Sequence, residues 1–264
     1  MQPHRHKKQL GQHFLHDPAI IDRIVRAIDP QPGESLVEIG PGAGAITLPL
    51  LKRHGGLRVI EFDRDLLAPL RQLGAEHGAL DIVHADVLDV DFTALAAGTP
   101  IRLVGNLPYN ISSPILFHAL EHASAIRDMH FMLQKEVVDR MAAAPGSKVY
   151  GRLSVMLQAC CAVTPLFRVP PGAFRPPPKV DSAVVRLLPR PSNEIGIADP
   201  ALFARVVRAA FAQRRKTLRN ALDEVCDVEA MHHVGIAPGA RAETVPVADY
   251  VALANHLAAL PAAG

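Results

Sequence analysis

No apolar run in this 264-residue sequence approaches the ~20 residues that a helix needs to cross a bilayer. The opening MQPHRHKKQLGQHFL carries charge, but no apolar segment follows it, so a secretory signal is not expected either. Cysteine is scarce: Cys160, Cys161 and Cys226, two of them adjacent, do not make a disulfide framework. The 13 histidines lack zinc-type spacing, since His4 and His6, His13 and His16, and His232 and His233 stand without suitably placed partner ligands, and no metal is expected. A formal net charge of +2 is too small by itself to indicate nucleic acid. Internal repeats and low-complexity tracts are absent too. What remains is an ordinary globular composition, 49% hydrophobic and 20% charged, long enough for one large domain with a small appendage. A cytoplasmic monomer without a membrane partner is the expectation.

Acidic residues are missing from one long stretch. Between Pro200 and Leu222 there are Arg205, Arg208, Arg214, Arg215, Lys216 and Arg219 and no Asp or Glu, and residues 4–8 read His-Arg-His-Lys-Lys. On a helix Arg205, Arg208, Arg215 and Arg219 would share one stripe, with Phe203, Val207, Phe211 and Leu218 on another. Two readings stand here: a solvated helix face, or a surface that meets phosphates.

Asp17-Pro18 opens a helical pattern through Ile20, Ile21, Ile24, Val25 and Ile28, closed by Asp29-Pro30-Gln31-Pro32-Gly33. Apolar runs then alternate with helical patterns at Leu36–Ile39, Leu57–Ile60, Asp81–His84, Ile101–Val104 and Met129–Leu133, the rhythm of a parallel sheet with crossover helices. Val163–Val169 and Ala183–Leu188 have no helix between them and predict an antiparallel hairpin at the sheet edge. Residues 189–200 read as a linker. Helices are expected at roughly 201–224, 227–234 and 246–259. The division predicted is a catalytic α/β domain over 1–190 and a small helical domain over 191–264.

The first predicted strand runs into Val37-Glu38-Ile39-Gly40-Pro41-Gly42-Ala43-Gly44-Ala45, whose glycines let backbone pass close to a ligand. The same run satisfies G-x-G-x-x-G/A, so a dinucleotide-dependent enzyme competes with a methyltransferase. Glu61 lies 21 positions beyond Gly40 and can hold ribose hydroxyls in either case. Glu38 favours S-adenosyl-L-methionine, because an extra negative charge gains little at a phosphate-binding turn but can hold the cofactor's amino-acid end. Asp86, after the third strand, can accept from an adenine amine or merely cap a turn.

After the fourth strand comes Gly105-Asn106-Leu107-Pro108-Tyr109-Asn110. The exocyclic amine of adenine is a poor nucleophile because its lone pair is delocalised. Two acceptors aimed at its N–H bonds favour the tetrahedral geometry that frees that pair. Asn106 offers a side-chain oxygen, Pro108 biases Leu107 towards extended backbone that could aim its carbonyl at the same amine, and Tyr109 offers a ring for a flipped base. An Asn-Pro turn after a buried strand is the plainer alternative.

Taken in order, these motifs resemble the ribosomal RNA adenine N6-dimethyltransferases, above all the branch acting on 16S RNA, over essentially the whole chain. The specific marks are Gln12-His13-Phe14-Leu15, Glu38 to Gly42, Asn106 to Ser112, Gln134-Lys135-Glu136-Val137, Tyr150 to Ser154, FRPPPKVDS from Phe174, and FAQRRKTLRNA from Phe211. The resemblance implies a Rossmann-like class I methyltransferase sheet, mostly parallel with an antiparallel edge hairpin, and a small all-helical C-terminal domain over 191–264 that binds RNA or the ribosome. It implies that His13, Leu15, Gly40, Glu61, Asp86 and Asn106 line the cofactor site; His13 departs from the Asn of the family. The implied substrate is a pair of adjacent adenosines in a 3′-terminal hairpin loop of 16S RNA within the small (30S) subunit, each dimethylated late in subunit biogenesis. Phe174, flanked by rigid prolines, could stack on the base face opposite Tyr109 or lie in the core. Arg175 and Lys179 could meet phosphates or solvate their loop. Two rivals remain: a large-subunit RNA dimethyltransferase, against which the FRPPPKVDSAVVRL segment stands, and a non-catalytic RNA-binding assembly factor.

Overall fold

The computed structural model describes residues 13–213 and 215–260. In chain order these form β1 (Phe14–Leu15), α1 (Pro18–Ile28), β2 (Ser35–Ile39), α2 (Thr47–His54), β3 (Gly56–Glu61), α3 (Leu67–His77), β4 (Ala79–His84), α4 (Phe92–Ala96), β5 (Ile101–Asn106), α5 (Ser112–Glu121) and β6 (Ile126–Gln134). There follow α6 (Lys135–Met141), α7 (Arg152–Cys160), β7 (Cys161–Val169), β8 (Phe174–Arg175), β9 (Ser182–Pro189), α8 (Ser192–Ile195), α9 (Pro200–Ala212), α10 (Leu218–Ala221), α11 (Val228–His233) and α12 (Val247–Ala259). Among the described residues no helix is long and apolar enough to cross a membrane.

Local chemistry explains where the chain starts and stops its elements. Asp17 caps α1 by accepting from the Ala19 and Ile20 amides, Pro18 occupies the first turn, and Asp29 ends the helix in a left-handed conformation at φ 43°. The apolar stripe Ile24, Val25 and Ile28 is thereby turned inward.

Seven strands make one sheet in the order β4-β3-β2-β5-β6-β9-β7. Pairing is parallel from β4 through β6, and β9 joins β6 antiparallel with Gln134 opposite Ser182. From β2 the chain first builds outward through β3 and β4, then returns to add β5 and β6 on the other side. The switch point between β2 and β5 opens a crevice at their carboxyl ends, where ligands bind in sheets of this kind. Those two strands approach closely there. A Cβ on Gly105 would lie 2.5 Å from the Ile39 carbonyl oxygen, so glycine is required for β5 to lie against β2 at the crevice.

The opposite end of the sheet is held by charge. Arg102, only 6% exposed, donates to both oxygens of Asp128 at 2.8 and 3.0 Å, to Glu34 at 2.5 Å, and to the carbonyls of Ile28 and Asp29 at 2.6 and 3.3 Å. All five guanidinium donors are thus engaged. This ties the turn after α1 to β5 and β6.

By contact density the chain forms two compact units, one comprising the described residues up to Val138 with Thr164–Pro189, the other Asp139–Val163 with everything from Arg190. The sequence put a single crossing after residue 190; the structure has Asp139–Val163, including α7, grouped with the C-terminal helices. Within the second unit Val155 and Ala159 of α7 pack with Phe203, Val207, Leu218 and Tyr250. The helix expected over 201–224 is not continuous. It ends at Gln213, whose φ and ψ of −130° and 87° leave the helical region, and resumes only at α10. The first two amides of α10 find partners outside the helix: Leu218 donates to the Ala240 carbonyl and Arg219 to that of Pro238. Tertiary hydrogen bonds override the helical pattern here.

Candidate active site

The crevice at the switch point is a cavity of about 290 Å³ lined by the carboxyl ends of β2, β3 and β5, the turn after β4, and the segment around β1. At the end of β2, Glu38 is 1% exposed and accepts a 2.6 Å hydrogen bond from the hydroxyl of Thr47, the first residue of α2. Burial, aided by the neighbouring Glu61 charge and opposed by Thr47, pushes its carboxyl up to about 7. The turn that follows needs glycine at Gly40, where φ is +65° and a Cβ would meet nothing, so backbone faces open space.

Glu61 ends β3 and cross-links two edges of the cavity. One oxygen accepts from the Asp63 amide at 2.7 Å, the other from the Gly42 amide at 3.2 Å. Burial raises its pKa above the ordinary carboxylate value despite these two bonds. Asp86 lines the cavity and also caps the turn Val87–Asp89 by accepting from the Leu88 amide at 3.0 Å. The two sequence alternatives for Asp86 are therefore compatible.

Asn106 is oriented by the N-terminal segment. Its side-chain nitrogen donates to the His13 carbonyl at 3.2 Å. A carbonyl can only accept, so the amide nitrogen must face it, and Oδ1 is left without a partner among the described residues. His13 is in turn fixed through Nδ1 to the Pro176 carbonyl at 2.8 Å, and its ring lies 5.6 Å from that of Tyr109, tilted by 30°. Leu107 is buried and donates to the Met132 carbonyl at 3.1 Å, and Ile111 donates back to the Pro108 carbonyl at 3.3 Å. The segment is thus an Asn-Pro turn, as the plainer alternative had it, and that turn lines the cavity.

His13, Leu15, Glu38, Gly40, Gly42, Glu61, Asp86, Asn106, Leu107, Pro108 and Tyr109 all line this one cavity. Phe174 does not. At 2% exposure, with Leu15 as its cross-strand partner in the β1·β8 pair, it packs in the core of the first unit and presents no face to a base. Of its two sequence alternatives the structure has the core one, in place of the stacking role, and the ring helps to hold β1 in the first unit. Phe62 was missed from sequence. It lines the cavity and is 60% exposed, an aromatic between Glu61 and Asp63 whose signal was its place directly after the strand-ending acid.

Arg205 and Arg208 are exposed on α9, and Arg215, Lys216 and Arg219 are exposed beyond its end, so the single four-residue stripe is divided by the break at Gln213. Arg214 and residues 4–8 lie outside the described residues. Among the described residues no group of three or more His, Cys, Asp or Glu side chains is arranged to hold a metal ion.

Glu38→Gln keeps an acceptor for Thr47 and removes the buried charge. The folded carboxyl titrates near 7 and an unfolded one near 4.5, so the native state holds the extra proton between these values and wild-type stability falls as pH rises through that window. Thermal melts of the cofactor-free variant are expected to lack this fall. An unchanged slope would show that Glu38 is not its source.

Residues 3–259 match the ribosomal RNA adenine dimethylase family. A relative from Xanthomonas campestris pv. campestris strain B100, named ribosomal RNA small subunit methyltransferase A, is 72% identical over 94% of this chain and 95% of its own. Among solved structures, a dimethyladenosine transferase from Plasmodium falciparum superposes with a TM-score of 0.79 at 25% identity, covering 91% of this chain and 96% of that one. The 23S rRNA methyltransferase ErmE follows with a TM-score of 0.70 at 27% identity, covering 93% and 99%. Both similarities span the parallel sheet, its antiparallel edge and the helical C-terminal part, the Rossmann-like class I methyltransferase fold expected from sequence. With its acids, glycine turn and Asn-Leu-Pro-Tyr gathered at one switch point, this chain belongs to the ribosomal RNA adenine dimethylase family.

Proposed function

We propose that this enzyme dimethylates N6 of two adjacent adenosines in the 3′-terminal hairpin loop of 16S RNA, acting in the cytoplasm on the small subunit late in its assembly. The observation that carries the chemistry is the orientation of Asn106. Its nitrogen is committed to the His13 carbonyl, which leaves the oxygen of this cavity-lining residue as the acceptor for a ligand. With the Leu107 carbonyl as the second acceptor, two N–H bonds of an adenine amine would be held so that the nitrogen becomes tetrahedral and its lone pair available. Tyr109 would carry the base on its ring. No enzyme nucleophile is required.

S-adenosyl-L-methionine, when bound, supplies a methyl group on a positively charged sulfur. The residues present suit such a ligand. Two carboxyls with raised pKa values, Glu38 and Glu61, share the cavity, and their mutual repulsion is relieved by a cation and aggravated by a diphosphate. This favours the methyl donor over a dinucleotide. Glu61 would hold the ribose hydroxyls, Asp86 would accept from the adenine amine, Gly40 and Gly42 would bring backbone close to the amino-acid end, and Phe62 would cover the adenine ring. His13 and Leu15 would close the cavity over them. Arg205, Arg208, Arg215, Lys216 and Arg219, with Arg214, would grip RNA phosphates, fixing position without reading bases.

The 16S assignment is supported by the 71–72% identity to relatives named for the small subunit, against 27% to the 23S enzyme. Labelled donor offered separately to undermethylated small and large subunits, with mass spectrometry of the digested RNA, tests it. Dimethyladenosine in the small-subunit RNA alone is expected; label confined to the large subunit would overturn the assignment.

A further inference from the structure

Tyr109 is held by a residue to which neither the motifs nor the resemblance gave a role. Its hydroxyl shares a 2.6 Å hydrogen bond with Ser182 Oγ. Ser182 is the first residue of β9 and 0% exposed. It is registered opposite Gln134 of β6, and the Asp181 carbonyl just before it accepts from the Lys135 amide at 2.9 Å. The anchor therefore stands on the rigid sheet, whereas Tyr109 itself stands on the turn closed by Ile111 and Pro108. The His13 ring, tilted and 5.6 Å away, is the ring contact of Tyr109 among the described residues. Without Ser182 the ring would lose the bond that fixes its hydroxyl end to the sheet and gain freedom about its side-chain torsions.

This anchoring has unequal value for the two transfers, given the adenine-dimethylating reading on which the inference rests. Each transfer uses the nitrogen lone pair to form an N–C bond, breaks the donor's S–C bond with its electron pair returning to sulfur, and releases one proton from the amine to water. Unmodified adenine enters with two N–H bonds for the Asn106 oxygen and the Leu107 carbonyl. The singly methylated amine has one left, with a methyl group where the other was. Its orientation depends correspondingly more on the ring beneath the base. We propose that Ser182 is a positioning residue for the second methyl transfer, pinning the Tyr109 ring so that the singly methylated adenine stays aligned with the methyl donor.

Ser182→Ala, Tyr109→Phe and the double variant of the full chain, assayed on undermethylated small subunits under single-turnover conditions, test this. Loss of one hydrogen bond's worth of orientation should slow the second transfer by about tenfold. The first should be slowed less, so that the ratio of the second rate to the first falls by about threefold or more. N6-monomethyladenosine should therefore accumulate with both single variants, and the double variant should be no worse than either, as expected of one shared bond. Equal slowing of both transfers, or an unchanged ratio of mono- to dimethyladenosine, would overturn the inference. Should Ser182→Ala fail to fold, Tyr109→Phe removes the same bond from the cavity side and decides alone. A wild-type enzyme that made no dimethyladenosine on either subunit would instead sink the functional reading, an outcome visible before any variant is compared.

Discussion

Replacing Asn106 with alanine is expected to lower methyl transfer to adenine by about 10²–10³-fold, the usual consequence of removing one preorganised dipole from the reacting centre. The oxygen it removes has no substitute among the described residues: Leu107 offers its carbonyl, and Tyr109 offers a ring whose hydroxyl is already bound to Ser182. The variant also loses the bond to the His13 carbonyl, so the segment around β1 should loosen and cofactor affinity should fall modestly. Asn106→Asp separates the two effects. It keeps an acceptor for the amine but sets a carboxylate oxygen against the His13 carbonyl, so its loss should appear chiefly in cofactor binding. Single-turnover transfer measured beside calorimetric binding of S-adenosyl-L-methionine distinguishes them. An Asn106→Ala enzyme working at near wild-type rate would refute the mechanism.

Arg102→Ala should produce the largest loss of stability. Removing one partner from a buried ion network leaves the others uncompensated, at a cost of about 3–5 kcal/mol. Here the buried Asp128 would lose its two-pronged partner and keep the single 3.2 Å bond from Arg186, Glu34 would keep Arg127, and two main-chain carbonyls would lose their donor. Burial alone would push the Asp128 carboxyl up; the Arg102 hydrogen bond and charge, with His130 and Arg186, outweigh it and hold the carboxyl below its ordinary value. Its contribution is therefore present above the ordinary carboxylate range and is lost as pH falls through the lowered value. Chemical denaturation at neutral pH should show most of the loss, and the difference between Arg102→Ala and wild type should shrink in acid. Arg102→Lys should recover little, because an ammonium cannot replace a five-donor fork. A loss below about 1 kcal/mol would mean that the network is screened like a surface pair.

The sheet strands were legible because each is a short apolar run bounded by turn residues, and α1 because Asp17-Pro18 and Asp29 punctuate it at both ends. The cavity acids were legible because a parallel sheet delivers the residue at the end of each strand to one edge. Other features left no local trace. β1 and β8 are two residues each and exist only because Leu15 meets Phe174 across the fold. Phe174 looked equally apt for a core or a base, and its partner strand decided the matter. The break after Gln213 accompanies hydrogen bonds from Leu218 and Arg219 to Ala240 and Pro238, about twenty positions away. Arg102 sat unremarked inside an apolar run, since its partners lie before β2 and on β6.

The sequence by itself determined the alternation of sheet strands and helices, the family, and most of the residues that line the cavity. Each of these follows from short-range periodicity or from a motif on contiguous residues. Tertiary structure alone decided which way Asn106 faces, that Phe174 is core, that Ser182 anchors Tyr109, and that α7 groups with the C-terminal helices. Those depend on hydrogen bonds and packing between residues tens to more than a hundred positions apart, whose pairing no local pattern encodes.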